Sequence, residues 1–201
     1  RFACVGGASL DVISLLLESH PGAVKVKHGL HATLLHAACD GGASFDTISL
    51  LLRAWPDAIK VKHKQYRTPL HAACGSEASL DTISLLLRAW PDAVKEKDRS
   101  HQTPLLTACL QGKSLDVISL LLHTWPDAVK ANTWGETPLH AACYSGASFD
   151  TISLLVATWP DAAKERNRKE NTPLHSACEG DASLDTISLL LGMWPEAIEE
   201  K

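Results

Sequence analysis

Histidine and cysteine recur in this chain at a spacing that could carry chemistry. The segments LLHAAC, PLHAAC, PLHAAC and PLHSAC place His36 three residues before Cys39, His71 before Cys74, His140 before Cys143 and His175 before Cys178. Imidazole and thiolate are preferred zinc ligands, and the same pair can act as base and nucleophile. On a helix, a spacing of three puts both on one face. Against a metal stands the ligand count, because each pair would have to converge with ligands from another segment to reach four. Against catalysis stands the repetition: a base is needed once, and this one comes four times. No phosphate-cradling glycine loop or nucleophile–base set occurs elsewhere. The sequence therefore points to no enzyme, no metal site and no cofactor.

The six cysteines raise a second possibility, a disulfide framework. Cys4, Cys39, Cys74, Cys109, Cys143 and Cys178 share one register, one repeat apart. Packed helices sit roughly 8–10 Å apart, whereas disulfide Cα atoms lie about 4.4–6.8 Å apart. The expectation is free, buried thiols that pack as small hydrophobes. That favours a reducing, intracellular compartment, most simply the cytoplasm.

The elements that would hold these residues are written as an internal repeat. A Thr-x-Leu-x-x-x-Cys block begins at Thr33, Thr68, Thr103, Thr137 and Thr172, in steps of 35, 35, 34 and 35 residues. After each comes a block such as SLDTISLLLRAWPDA, starting at Ser44, Ser79, Ser114, Ser148 and Ser183. RFAC and SLDVISLLLESHPGA make residues 1–32 the remainder of another copy. All ten prolines fall at two repeat positions, so no Pro-rich linker divides the chain. The expected organisation is one array over 1–201: a partial repeat 1–32, full repeats 33–67, 68–102, 103–136 and 137–171, and a partial repeat 172–201.

Within a unit, Pro69 after Thr68 suits the first turn of a short helix through Cys74. GSEA ends it, and Ser79 caps a second helix with Asp81 at the positive end of its dipole. Leu80, Ile83, Leu86 and Leu87 form an apolar stripe facing a core. Trp90-Pro91 closes the helix, and Trp55, Trp90, Trp125, Trp159 and Trp194 are expected to cover the core's edge. From Ala93 to Gln102 the chain reads as irregular, a short projecting excursion and turn. Such a unit buries its stripe only against its neighbours, which predicts a solenoid.

T-P-L-H-x-A followed by a Leu-rich second helix resembles the ankyrin repeat, across essentially the whole chain. The resemblance implies an all-α solenoid of helix–turn–helix units with short projecting hairpin loops. It makes His36, His71, His140 and His175 structural, bridging the Thr hydroxyl and the backbone of the adjoining unit. Leu106 and Arg1 depart from that position, Leu106 exchanging the bridge for apolar packing. Each unit is two residues longer than usual, one in the inter-helix turn and one at the helix exit. The Trp-Pro exit resembles arrays of single-celled algae and other protists. The family's glycine in the projecting turn occurs only at Gly135, with His31, Tyr66, His101 and Glu170 in the other copies.

The helices repeat almost letter for letter while the fingers differ: VKHGLHA, VKHKQYR, EKDRSHQ, ANTWGE and ERNRKEN. A second variable position follows each Cys: Val5, Asp40, Gly75, Leu110, Tyr144 and Glu179. In ankyrin-like architecture both sets lie along one concave side, where the family binds proteins. Candidate partner-binding residues in the fingers are Lys64, Tyr66, Arg67, Arg99, His101 and Gln102, then Trp134, Glu136, Arg168 and Lys169. Leu110 and Tyr144 join them from the helix ends. Tyr, Trp and Arg dominate interface energetics.

Charge separates along the same line. Residues 25–32, 60–67, 95–102, 130–136 and 164–171 hold 14 basic and 5 acidic side chains, a net +9. The remainder of the 19 basic and 23 acidic residues is 5 and 18, a net −13. A basic finger edge would steer a protein with an acidic surface. Nucleic acid is a poorer fit, since the total charge is −4 and no reading helix or aromatic-studded sheet is present. No apolar run approaches the roughly 18 to 20 residues of a membrane span.

The leading expectation is a non-enzymatic protein-interaction scaffold. Its competitor is a structural spacer, or part of a larger assembly, held through its termini or convex side. Arg1 falls inside a first helix and Lys201 just after WPEA, and neither end reads as a polar capping repeat. The expectation is therefore a piece of a longer chain or larger assembly.

Overall fold

Each Thr-x-Leu block opens a helix because its threonine caps one. A computed structural model describes residues 10–27, 32–180 and 182–195; the readings that rest on Arg1, Cys4, Val5 and His31 lie outside them. Among the described residues the chain forms eleven α-helices: α1 (Leu10–Ser19), α2 (Leu34–Asp40), α3 (Phe45–Ala54), α4 (Pro69–Cys74), α5 (Leu80–Ala89), α6 (Pro104–Leu110), α7 (Leu115–Thr124), α8 (Pro138–Tyr144), α9 (Phe149–Thr158), α10 (Pro173–Glu179) and α11 (Leu184–Met193). None is long and apolar enough to cross a membrane. The even-numbered helices are the short ones, and the hydroxyls of Thr33, Thr68, Thr103, Thr137 and Thr172 each accept an N–H three residues on. That satisfies a donor which a helix start leaves open.

The second helices are capped by serine. Ser44, Ser79, Ser148 and Ser183 accept from the N–H of Thr47, Thr82, Thr151 and Thr186. Ser114 makes no such bond, and there Val117 stands where the other four have threonine.

The buried stripe differs from the expected one at its first position. Ile83, Leu86 and Leu87 are buried, but Leu80 is 39% exposed and Thr82 takes its place in the core. At 100° per residue, Leu80 lies about 90° from the centre of the Thr82–Ile83–Leu86–Leu87 arc. Phe45 and Phe149 at the equivalent position are exposed for the same reason. The five Trp side chains that close α3, α5, α7, α9 and α11 are half-buried at the edge of that core.

The chain after each Trp is more ordered than expected. Residues read as irregular begin instead with a 3-10 turn, Pro91–Lys95, repeated as Pro21–Lys25, Pro56–Lys60, Pro126–Lys130 and Pro160–Lys164. Proline presets the backbone angle of the first residue, and the Trp90 carbonyl accepts the Ala93 N–H at 3.1 Å. Ala93 and Val94 are thereby turned inward and buried.

Packing falls into two compact units, Arg1–Ser100 and His101–Lys201. In the first, α2 stacks on α4, and α3 packs between α1 and α5. In the second, α6, α8 and α10 stack in order, as do α7, α9 and α11. Like packs on like, in an all-α repeat solenoid fold.

The histidines tie these stacks to the fingers. In unit one, His36 Nδ1 takes the Thr33 N–H at 3.3 Å, and Nε2 lies 3.1 Å from the Arg67 carbonyl, in the finger of its own repeat 33–67 rather than in the adjoining unit. An N–H only donates and a carbonyl only accepts, so Nε2 carries the proton and the ring is neutral. In unit two, His140 makes the same pair with Thr137 and the Asn171 carbonyl, at 3.4 and 3.0 Å. Leu106 keeps the cap, its N–H meeting the Thr103 hydroxyl at 3.3 Å, and its side chain is buried in the core. Cys39, Cys74, Cys109 and Cys143 are free and buried, and burial pushes the Cys143 thiol up to about 12. Cys178 departs from the expectation: it is free but exposed.

Burial lowers His36 from 6.5 to about 4, and the hydrogen bond to the Arg67 carbonyl only partly offsets it. His140 is lowered too, again chiefly by burial. Between those pH values the unfolded chain binds the proton and the folded chain does not. The stabilisation is complete above pH 6.5 and is lost as pH falls towards 4, by roughly 3 kcal/mol at His36. The urea midpoint should drop between pH 7.5 and 4.5, and drop less in His36→Leu, which copies the native Leu106. An equal drop in both proteins would reject the buried neutral ring.

Candidate partner-binding face

The fingers are hairpins, and their lengths explain the odd step in the repeat. In residues 63–67, the Tyr66 N–H meets the His63 carbonyl at 2.8 Å and the His63 N–H meets the Arg67 carbonyl at 3.1 Å. Residues 167–171 repeat this, with Glu170 to Asn167 at 2.9 Å and Asn167 to Asn171 at 3.0 Å. These are three-residue loops whose last residue turns left-handed. Thr133 and Glu136 instead exchange both backbone bonds, at 3.0 and 2.9 Å, around Trp134-Gly135 alone. A two-residue loop of this hand requires positive φ at both positions, and Trp134 has 60° and Gly135 80°. The loop is one residue shorter, so the step from Thr103 to Thr137 is 34.

Glycine is also needed here for space. A Cβ on Gly135 would lie 2.7 Å from both the Arg166 carbonyl and Asn167 Cα in the next finger. Elsewhere the left-handed position goes to bulkier residues: Tyr66 at 59°, His101 at 62° and Glu170 at 60°. The missing glycines thus leave the turn geometry intact, at about 1 kcal/mol per residue. In return, large side chains project from rigid tips. Tyr66 is 59% exposed and Trp134 55%.

Successive fingers brace each other. In unit one the Arg99 N–H meets the Gln65 carbonyl at 2.7 Å, and Lys62 pairs with Glu96. Lys95 pairs with Asp92. Arg67 reaches back to the His71 carbonyl at 2.9 Å. Lys64, Lys97 and Arg99 are exposed and make no ion pair among the described residues. In unit two, the Arg168 N–H meets the Trp134 carbonyl at 3.0 Å, and its guanidinium carbon sits 3.2 Å from the Trp134 ring centroid. That is a cation–π contact which fixes both side chains. The Thr133 hydroxyl donates to the His101 carbonyl at 2.9 Å.

Unit two contains an open trough of about 450 Å³ between its fingers and short helices. Of the twelve residues predicted from sequence, seven line it: Gln102, Leu110, Trp134, Glu136, Tyr144, Arg168 and Lys169. His101 is exposed and is not part of the lining. Lys64, Tyr66, Arg67 and Arg99 belong to unit one, where Arg67 is partly occupied by its backbone bond.

Six lining residues were not predicted: Leu106, Thr133, Asn167, Asn171, Ser176 and Glu179. Three had a signal. Leu106 replaces the repeat's histidine, Ser176 replaces its alanine, and Glu179 holds the variable position after Cys178. Asn167 and Asn171 act through geometry that the sequence does not display. Asn167 Oδ1 accepts from Lys169 and Asn171 at 2.9 and 3.1 Å, leaving its amide to reach Glu136 Oε2 at 3.0 Å.

A family model for ankyrin repeats in three copies matches residues 2–94, 35–129 and 106–198. The chain belongs to the ankyrin-repeat family. Ankyrin repeats mediate protein–protein interaction, and the family is typically non-enzymatic. A search of curated proteins gives no match. One similar solved structure is that of the Bd0816 predatory endopeptidase from Bdellovibrio bacteriovorus in complex with the immunity protein Bd3460. A chain of it is 25% identical with a TM-score of 0.75, covering 94% of this chain and 95% of that one. Since 429 chains of known structure match, likeness of this kind identifies the ankyrin fold and leaves the partner open.

Gly135→Ala should lower folding stability by about 1–3 kcal/mol, through strained φ and the close backbone of the next finger. Glu170→Gly should raise it by up to about 1 kcal/mol. Urea unfolding measures both, and an unchanged midpoint in Gly135→Ala would show that the two fingers do not pack this closely.

Proposed function

We propose that this ankyrin-repeat protein grips a protein partner along its concave side, with the fingers and the ends of the short helices as contact surface. The observation that carries the reading is the gathering of Trp134, Tyr144, Leu110 and the charged finger residues around one open trough. Aromatic and Arg side chains held by rigid elements are the usual anchors of interfaces, and such exposed loops are favoured sites of function. The cations of unit one, Lys64, Lys97 and Arg99, suit an acidic patch on the partner. Buried free thiols favour a reducing compartment such as the cytoplasm.

Trp134→Ala and Tyr66→Ala should leave the melting temperature within a few degrees of wild type and weaken capture of the partner about tenfold or more each. Capture at wild-type strength in the double variant would reject the assignment. That the repeats act as one array belongs to the same proposal: a single cooperative urea transition supports it, and two separable transitions reject it.

One observation favours the structural reading instead. The outer helices leave Phe45, Leu80, Phe149 and Leu184 exposed. In unit one Leu52, Pro56, Ile59 and Leu85 also line an apolar groove of about 310 Å³. Loss of capture on Leu80→Ser, with Trp134→Ala silent, would favour attachment through that side.

A further inference from the structure

We propose that the trough of unit two seats a basic side chain of a peptide segment, Lys or Arg next to a large apolar residue, with Glu136 and Glu179 facing the cation. The inference rests on the partner-binding reading above and specifies the chemistry of that same site.

The two carboxylates are oriented by amide donors, with Arg168 and Lys169 lining the same trough. Glu136 Oε2 accepts from the Asn167 amide and Glu179 Oε1 from the Asn171 amide, each at 3.0 Å. Neither is in an ion pair among the described residues. An Asn donor orients a carboxylate and leaves its charge uncompensated. The second oxygen of each remains for a ligand donor.

The nearby cations are differently disposed. Arg168 lies against the Trp134 ring, and Lys169 is exposed at the rim. Beside the acids and their two Asn partners the lining carries Leu110, Trp134 and Tyr144 together with polar Gln102, Thr133 and Ser176. Leu110 is half-buried and Tyr144 is 58% exposed, whereas Leu106, where other copies place histidine, is buried and offers almost no surface. A Lys or Arg stem packs on such a surface while its head reaches the carboxylates, and a neighbouring Leu or Phe meets Leu110 and Tyr144.

The trough is open, as the exposure of Trp134 and Tyr144 shows. A small molecule there would stay largely in water, whereas ligand pockets enclose most of their occupant. A peptide segment of a protein, lying along the trough and anchored elsewhere, has no such difficulty.

The test is a selection of phage-displayed random dodecamers on the full chain, followed by binding of the recovered peptides to variants by fluorescence anisotropy. Glu136→Gln/Glu179→Gln keeps both Asn hydrogen bonds and removes both charges, and thermal melts confirm that it folds. The expected result is enrichment of Arg or Lys beside Leu, Phe or Tyr, with affinity falling about tenfold in the double variant and in Trp134→Ala. Recovery of acidic peptides whose binding needs Trp134 would overturn the basic-ligand proposal and leave the partner-binding face standing. Recovery of no peptides, or of peptides indifferent to both variants, would overturn this proposal and count against the face itself.

Discussion

A buried imidazole that must stay neutral is the joint on which the fingers depend. His36 and His140 each close their own helix start with one nitrogen and hold the following finger's carbonyl with the other. Burial in the helix stack keeps the ring unprotonated, and the unprotonated ring keeps the finger at a fixed height above its helix. A charged imidazole would set a donor against a donor at Thr33 or Thr137. Side chains at the tips inherit this rigidity.

Rigidity gives the strained backbone a purpose. Tyr66, His101, Trp134 and Glu170 sit where glycine would be easier, and the hairpins hold them there. Strain of this sort persists where the surrounding structure over-determines it, and it clusters at functional positions. The trough in unit two adds polar orientation to the same scheme. Asn167 is locked by two backbone donors and passes that order to Glu136, while Arg168 is laid flat on Trp134. A pre-arranged surface of this kind loses less entropy on binding than one that must be assembled. The charge of the fingers is also more local than their sum suggests. In unit one two lysines, Lys62 and Lys95, pair with Glu96 and Asp92, leaving Lys64, Lys97 and Arg99 at the tips; in unit two the trough sets Glu136 and Glu179 beside Arg168 and Lys169.

Much was legible because repetition turns one chain into its own comparison. Where five copies agree, as at Thr68, Leu70 and Cys74, packing between like neighbours dictates the letter. Where they disagree, as at Trp134, Tyr144 and Glu179, packing has no say, and those positions proved to line the trough. The mistakes are equally specific. Spacing alone puts Leu80 in the core, but the angle of the arc decides burial and gives the place to Thr82. Ala93–Lys95 reads as irregular in the sequence, because the five-residue 3-10 segment Pro91–Lys95 has too few residues to show a period.

The sequence by itself determined the repeat, the threonine caps and most of the interior, because these follow from local rules applied many times over. It also displays the 34-residue step, while the cause, a two-residue hairpin at Trp134-Gly135, came from the structure. Only the tertiary structure decided which variable residues meet. Asn167 touches Glu136 from a repeat away, and Arg168 finds Trp134 only when two fingers are stacked side by side. Such contacts are set by distances between units, and those arise from the packing of the helices beneath.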